Sequence, residues 1–315
     1  MKSVVQPRRI TVAADRARAF RPGLPDRWLP VVFLAPALIA LFGLLAYPLG
    51  YSLWLSLHRY NIVEPARYIG FRNYERILQD DRVWHSIRVT FAFAIPVFVL
   101  NLVLGFGLAL LIHHKARAKA IWRVIFSLPI LLTPIVIGLN WRVLMNYDFG
   151  VINYYLTSLG FERQLWFADA NMAMPALIMV DTWQTTAFVI LVMAAGLAAL
   201  PEDLFEAATV DGASFWQQLW TLTIPLLKPL FLVIALFRSF ELLRVFDIVY
   251  SLTRGGPGRA TETLSFHIFT RTFEGWQLGY GAAVSYVLFA ISGVISIALI
   301  RLIGISSAQQ GDDGR

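Results

Sequence analysis

The chain contains no cysteine. That absence excludes disulfides, thiolate metal sites and cysteine nucleophiles together, and leaves the compartment open. Charge is scarce as well: only 15% of the 315 residues are Asp, Glu, Lys or Arg, against roughly a quarter in ordinary soluble domains. With 57% hydrophobic residues and a mean hydropathy of +0.62, there is too little polar surface to clothe a water-soluble fold. A Gly-x-x-x-x-Gly-Lys-Ser/Thr phosphate loop is missing, so the chain is not expected to bind ATP by itself. His58, His85, His113, His114 and His267 stand in no metal-ligand spacing beside carboxylates on an apolar helix. They read as loop and interface residues, and no metal is expected. No His-, Cys- or Ser-centred catalytic cluster is visible either, which argues against an enzyme.

What the sequence has in abundance is long apolar runs. A membrane-spanning helix needs about 20 largely apolar residues, and six windows qualify: 30–57, 87–113, 121–145, 174–200, 225–250 and 279–303. The predicted class is an all-α integral membrane protein with six transmembrane helices, a spanning domain over 30–304, a basic cytoplasmic tail over 1–29 and a cytoplasmic C-terminal tail over 305–315. The first run is too long for the core of a secretory signal, so cleavage is not expected. A net charge of +7 would suggest nucleic acid in a soluble protein, but much of the excess sits in the tail, at Lys2, Arg8, Arg9, Arg16, Arg18, Arg21 and Arg27. That bias reads as topology, with the tail held in the cytoplasm. The cluster Lys115, Arg117, Lys119 and Arg123 then returns to the same side. Loops 113–122 and 201–224 are expected to be cytoplasmic, and 58–86, 146–173 and 251–278 to face outward.

A short polar interruption between spans runs from Pro201 to Ile224. Pro201 suits a first helical turn, and Glu202, Asp203 and Glu206 place negative charge at the positive end of the helix that follows. That helix is expected to run to about Asp211, with Gly212 taking the left-handed position that ends it. Ser214 with Gln217 three residues on fits a capping box for a second short helix. Phe215, Trp216, Leu219, Trp220 and Thr223 would then share an apolar face that is costly to leave in water. Such a face could pack on its own bundle, lie among lipid headgroups as Trp-bearing amphipathic helices do, or dock in a groove on another protein.

The residues Glu206-Ala207-Ala208, Asp211-Gly212 and Ile224-Pro225 resemble the cytoplasmic loop signature of permease subunits in binding-protein-dependent ABC importers. That pattern runs Glu-Ala-Ala, three residues, Gly, nine residues, an aliphatic residue, one residue, and an aliphatic residue with Pro. Leu222 and Ile224 fill the two aliphatic slots here. Three further segments are similar to the sugar-importing, maltose-type branch: Trp141-Arg142 with Gly150-Val-Ile-Asn153, the run from Phe246-Asp247 to Gly255-Gly256-Pro257-Gly258, and Gly279-Tyr280-Gly281-Ala282-Ala283. The tail 1–29 matches nothing in that pattern.

The resemblance implies a six-helix ABC importer permease of a bacterial or archaeal inner membrane, working beside a second homologous permease, two cytoplasmic ABC ATPases and an extracytoplasmic solute-binding protein. It implies that the loop, with Glu206, Ala207, Ala208, Asp211, Gly212, Ile224 and Pro225, is a coupling helix docked on an ATPase. ATP and Mg would be used by the ATPases and no cofactor bound by this chain. Lipid would be its surroundings, nucleic acid no partner, and a sugar or related polyol its cargo. The alternative reading is a self-sufficient ion-coupled transporter or channel, in which intramembrane charges couple to ions.

Those charges are Arg238, Glu241, Arg244 and Asp247, spaced every three residues so that opposite signs could meet along one helix. They could line a solute path or form a structural rail of ion pairs. Asp181, Trp183, Gln184 and Thr185, with Asn140, offer the hydrogen bonds and flat face that a sugar ring uses, or could tie helices together. Asn140, Trp183, Gln184, Glu241 and Arg244 are the candidate solute-pathway residues.

Overall fold

In the computed structural model the described residues are 29–114 and 119–312. Most of the expected basic tail, together with Lys115 and Arg117, lies outside them. In chain order the elements are α1 (Leu29–Ser56), a two-residue strand pair β1 (His58–Arg59) and β2 (Arg67–Tyr68), α2 (Arg72–Gln79), α3 (Asp81–His114), α4 (Lys119–Ser127), α5 (Pro134–Leu144), α6 (Val151–Ser158), α7 (Ala170–Ala198), α8 (Glu202–Val210), α9 (Phe215–Gln218), α10 (Ile224–Leu243), α11 (Asp247–Leu252), α12 (Leu264–Phe269) and α13 (Leu278–Asp312). Among the described residues, those up to Ser52, most of α1, form one unit and those from Leu53 onward the other. Within the first, α1 keeps its apolar side chains exposed, as Phe33 and Leu44 show. That is the pattern of a helix whose solvent is hydrocarbon.

Five helical stretches among the described residues are long and apolar enough to cross a bilayer: α1, α3, α7, Phe215–Leu243 and α13. The window 121–145 gives a sixth only as a broken pair, Val124–Leu131 and Pro134–Leu144, bent by 101°. The window expected as a span is thus broken within its length, and the cause is local. Pro134 disfavours helical backbone in the residue before it, and Leu132 and Thr133 are both extended, with ψ of 141° and 144°.

The window 225–250 is also not one helix. It ends at Leu243 and restarts at Asp247, although neither Pro nor Gly stands between. The backbone group freed by the break is taken up by a neighbour, since Thr263 Oγ1 donates to the Val245 carbonyl at 3.2 Å.

In the second unit α3 and α7 lie side by side and run the same way: Asn101 Nδ2 donates to Thr186 Oγ1 at 3.1 Å, and further along Ala109 shares a buried cluster with Met193, Ala194 and Leu197. Their starts, Asp81 and Ala170, are therefore at one end of the bundle, and the loop after Ala198 is at the other. A second cluster packs Phe93 and Val97 of α3 against Leu177 and Val180 of α7 and Ile248 and Val249 of α11. α5 closes on α11 at Gly138, where an added Cβ would collide with the Ser251 side chain. Small residues serve helix packing in this way where lipid supplies no hydrophobic drive.

At the end where α3 begins, Arg82 Nε donates to Glu262 at 2.8 Å, and His267 Nδ1 lies 2.8 Å from the same carboxylate. His267 is fully buried, not the loop or interface histidine that the sequence suggested. Burial works to raise the Glu262 carboxyl, but hydrogen bonds from His267 and Arg82 outweigh it and hold it below the ordinary carboxylate range. A depressed carboxyl stabilises the fold fully above its unfolded value, about 4.3, and this is lost as pH falls through the lower folded value. The protein in detergent is expected to lose thermal stability below about pH 4, and Glu262→Gln to flatten that drop. An unchanged acid profile in Glu262→Gln would remove Glu262 from the account.

Candidate coupling loop and intramembrane cavity

The loop folds as the local sequence dictates. α8 spans Glu202–Val210, capped at Asp211. Gly212 has φ +80°, and its N–H donates to Thr209 O at 3.1 Å while that of Ala213 donates to Ala208 O at 2.9 Å. These two bonds make a Schellman termination, which satisfies carbonyls that the helix end leaves open. Ser214 and Gln217 then form the capping box: Ser214 N–H donates to Gln217 Oε1 at 2.7 Å and Gln217 N–H to Ser214 Oγ at 3.4 Å. Gln218 Nε2 donates to Thr209 Oγ1 and to the Ala213 carbonyl, both at 3.1 Å, and so fixes the elbow between α8 and α9.

The apolar residues after the elbow do not share one face. A π-helical turn at Leu219–Thr223 follows α9. Leu219 and Thr223 are buried, whereas Phe215, Trp216 and Trp220 are 47%, 65% and 66% exposed. The extra residue in the π turn divides the stripe, so a uniform 3.6-residue period misassigns it. Glu206, Ala207, Asp211, Gly212 and Pro225 are exposed, and Ala208 and Ile224 half-buried. The sequence-predicted docking residues thus lie on or beside a surface that presents three large aromatic rings outward.

The second feature is a cavity of about 460 Å³, whose lining includes Asp181, Gln184, Arg238, Glu241, Arg244 and Asp247. One lining residue, Arg238, is 2% exposed. Its guanidinium donates to Asn101 Oδ1 at 3.0 Å, Asp181 Oδ2 at 3.2 Å, Thr185 Oγ1 at 3.0 Å and Glu241 Oε2 at 2.5 Å. A lone cation at this depth is costly, and the surrounding acceptors offset that cost. The predicted ladder of four charges stops halfway. Arg238 and Glu241 pair, but the break after Leu243 ends the helical register. Among the described residues, Arg244 and Asp247 make no ion pair. Arg244 lies instead over the Phe240 ring, 5.6 Å from its centroid.

Of the sequence-predicted pathway residues, the structure brings Gln184, Glu241 and Arg244 to this cavity. Gln184 Nε2 reaches the Leu132 carbonyl at the break between α4 and α5, at 3.3 Å. Trp183 lines a separate, apolar cavity of about 920 Å³, and its ring packs edge-on against Trp141 with centroids 5.5 Å apart. Asn140 belongs to neither lining and donates to the Val136 carbonyl of its own helix at 2.8 Å. Asn101 was missed at the sequence level; a lone carboxamide in the middle of an apolar span was the signal available.

Comparison with known proteins gives a consistent result. Residues 86–307 match the family described as "Binding-protein-dependent transport system inner membrane component". The chain is 35% identical over 272 residues to the trehalose/maltose transport system permease protein MalF of Thermococcus litoralis, covering 86% of this chain and 91% of that one. It is 36% identical over 282 residues to the sulfoquinovosyl glycerol transport system permease protein SmoG of Agrobacterium fabrum, covering 89% and 92%. A bacterial ABC transporter involved in the import of the acidic polysaccharide alginate contains a chain of the same fold, with a TM-score of 0.76, 21% identity and coverage of 87% and 94%.

Proposed function

The chain belongs to the family of binding-protein-dependent transport system inner membrane components, and on that premise we propose how it works as the permease subunit of an ATP-driven sugar importer. It is a multi-pass protein of the inner membrane that carries no catalytic centre of its own. A solute-binding protein delivers a sugar or related polyol to the outer side, and partner ATPases supply the energy. A second, homologous permease completes the translocation path, and two ATPases complete the engine. The surface built around Gly212 seats in a groove of one ATPase: Ala207 and Ala208 permit close approach, and Phe215, Trp216 and Trp220 supply apolar area. When the ATPases close on ATP and Mg, the docked elbow moves with them and the bundle turns from inward-facing to outward-facing. Solute then enters beside Gln184, Glu241 and Arg244, and hydrolysis resets the cycle.

The observation that carries this reading is the exposed elbow at Gly212, held in shape by its own Schellman and capping-box bonds. Vesicles holding the complete complex, loaded with ATP and given binding protein outside, should accumulate labelled trehalose, maltose or sulfoquinovosyl glycerol. Uptake by this chain alone, driven by an ion gradient without ATP, would instead establish a self-sufficient transporter.

A further inference from the structure

The even spacing of Arg238, Glu241, Arg244 and Asp247 suggests a ladder in which each charge is neutralised by the next. The structure leaves one cation out of it. Glu241 is held by Arg238, and the break after Leu243 takes Arg244 and Asp247 out of helical register. Arg244 lines the cavity of about 460 Å³ and is exposed there. Among the described residues it forms no ion pair, and its contact is the Phe240 ring. As the cap of α10 it meets the negative end of that helix, which is equivalent to only about half a charge. A cation so placed inside a span is costly, and one that faces a cavity marks the path of a solute.

The groups around it limit what that solute can be. A guanidinium only donates hydrogen bonds and a carboxylate only accepts them. Asp247 is exposed and unpaired among the described residues, and Glu241 pairs with Arg238 through Oε2 while its side chain stays 63% exposed. These carboxylates call for hydroxyl donors, and Arg244 calls for an anion. Three acids and two arginines line the cavity, so a bare anion is repelled on balance, and the anionic group must arrive on a body whose hydroxyls answer the carboxylates. Ring stacking contributes less, because Arg244 covers Phe240 and Trp183 lines the other cavity. Charge-assisted pairing therefore carries the recognition.

We infer that this cavity takes a sugar or glycoside bearing one anionic group, with Arg244 holding the anion and the hydroxyls donating to Asp247 and Glu241. The inference rests on the importer reading above and narrows its cargo to acidic sugars.

The test uses the complete complex in nanodiscs without the binding protein, whose own selectivity would otherwise decide, and follows the melting temperature as solute is titrated. The two probes differ in one group: methyl glucuronide has a carboxylate where methyl glucoside has a hydroxymethyl group. Methyl glucuronide should bind about tenfold or more tighter. Arg244→Gln should abolish that preference, and Arg244→Lys, which keeps the charge but not the planar fork, should restore part of it. Equal binding of the two probes, or binding of neither, by the unsubstituted complex would overturn the inference even if the variants failed to assemble. A preference that survives Arg244→Gln would do the same. A shift with inorganic sulfate as large as that with methyl glucuronide would leave a bare-anion site, and a drop in melting temperature of Arg244→Gln before any solute is added would assign Arg244 to a structural contact with the second permease; either result overturns it. If the complex imports trehalose or maltose with ATP and binding protein yet fails these tests, this inference falls and the importer reading stands. If it imports no solute at all, both fall.

Discussion

Gly212→Val is expected to abolish ATP-driven uptake while the protein remains in the membrane in normal amount. Gly212 holds φ +80°, and an added Cβ would meet nothing within 4 Å, so the cost lies in the backbone and not in a clash. A β-branched residue in left-handed conformation is penalised by roughly 1–3 kcal/mol. That is too little to unfold a bundle of this size, yet enough to dissolve the Schellman bonds and let α8 and α9 lose their relative direction. Asn tolerates this region better than other residues with a side chain, so Gly212→Asn should retain measurable uptake. Transport rates in vesicles, set against membrane content by immunoblot, read the result. Normal uptake by Gly212→Val would separate the elbow from energy coupling.

Arg238→Leu is expected to be the most damaging single substitution in the membrane interior. Removing one partner of a buried ion pair leaves the other uncompensated and typically costs 3–5 kcal/mol. Here Asp181, Asn101 and Thr185 would all lose their charged donor, leaving the Thr185 hydroxyl among them. Replacing both charges with apolar groups of similar volume often restores stability, so Arg238→Leu with Asp181→Leu should melt close to the unsubstituted protein. It should still fail to transport, because Glu241 would no longer be held by Arg238. Melting of the detergent-solubilised single and double variants decides the first point and uptake the second. An unchanged melting temperature in Arg238→Leu would mean that the network contributes nothing to stability.

Much of this is legible in the sequence. The apolar runs located the spans because lipid demands length and hydrophobicity and little else. The elbow was read to the residue, down to the φ of Gly212 and the Ser214–Gln217 box, because caps and turns are decided within a few neighbouring positions. Failures came where distant partners decide. The break after Leu243 has no local breaker, and the Val245 carbonyl is satisfied by Thr263 from beyond the following helix. The rail of four charges was inferred from spacing alone, and spacing holds only while the helix does. Asn140 lies on α5, beyond a 101° bend that spacing does not reveal, and Trp183 lines a different cavity from Gln184, its neighbour on α7. The Glu262–His267 pair joins positions of no suggestive spacing on a segment that reads as an outer loop.

The bend at Leu132 has a consequence for anyone dissecting the cavity by substitution. Its carbonyl faces Gln184 because the chain turns there, and main-chain oxygen survives every exchange of the side chain that bears it. An alanine survey along this wall would therefore leave one polar contributor intact throughout, and would credit the side chains opposite with less than the whole of what the wall offers a passing molecule.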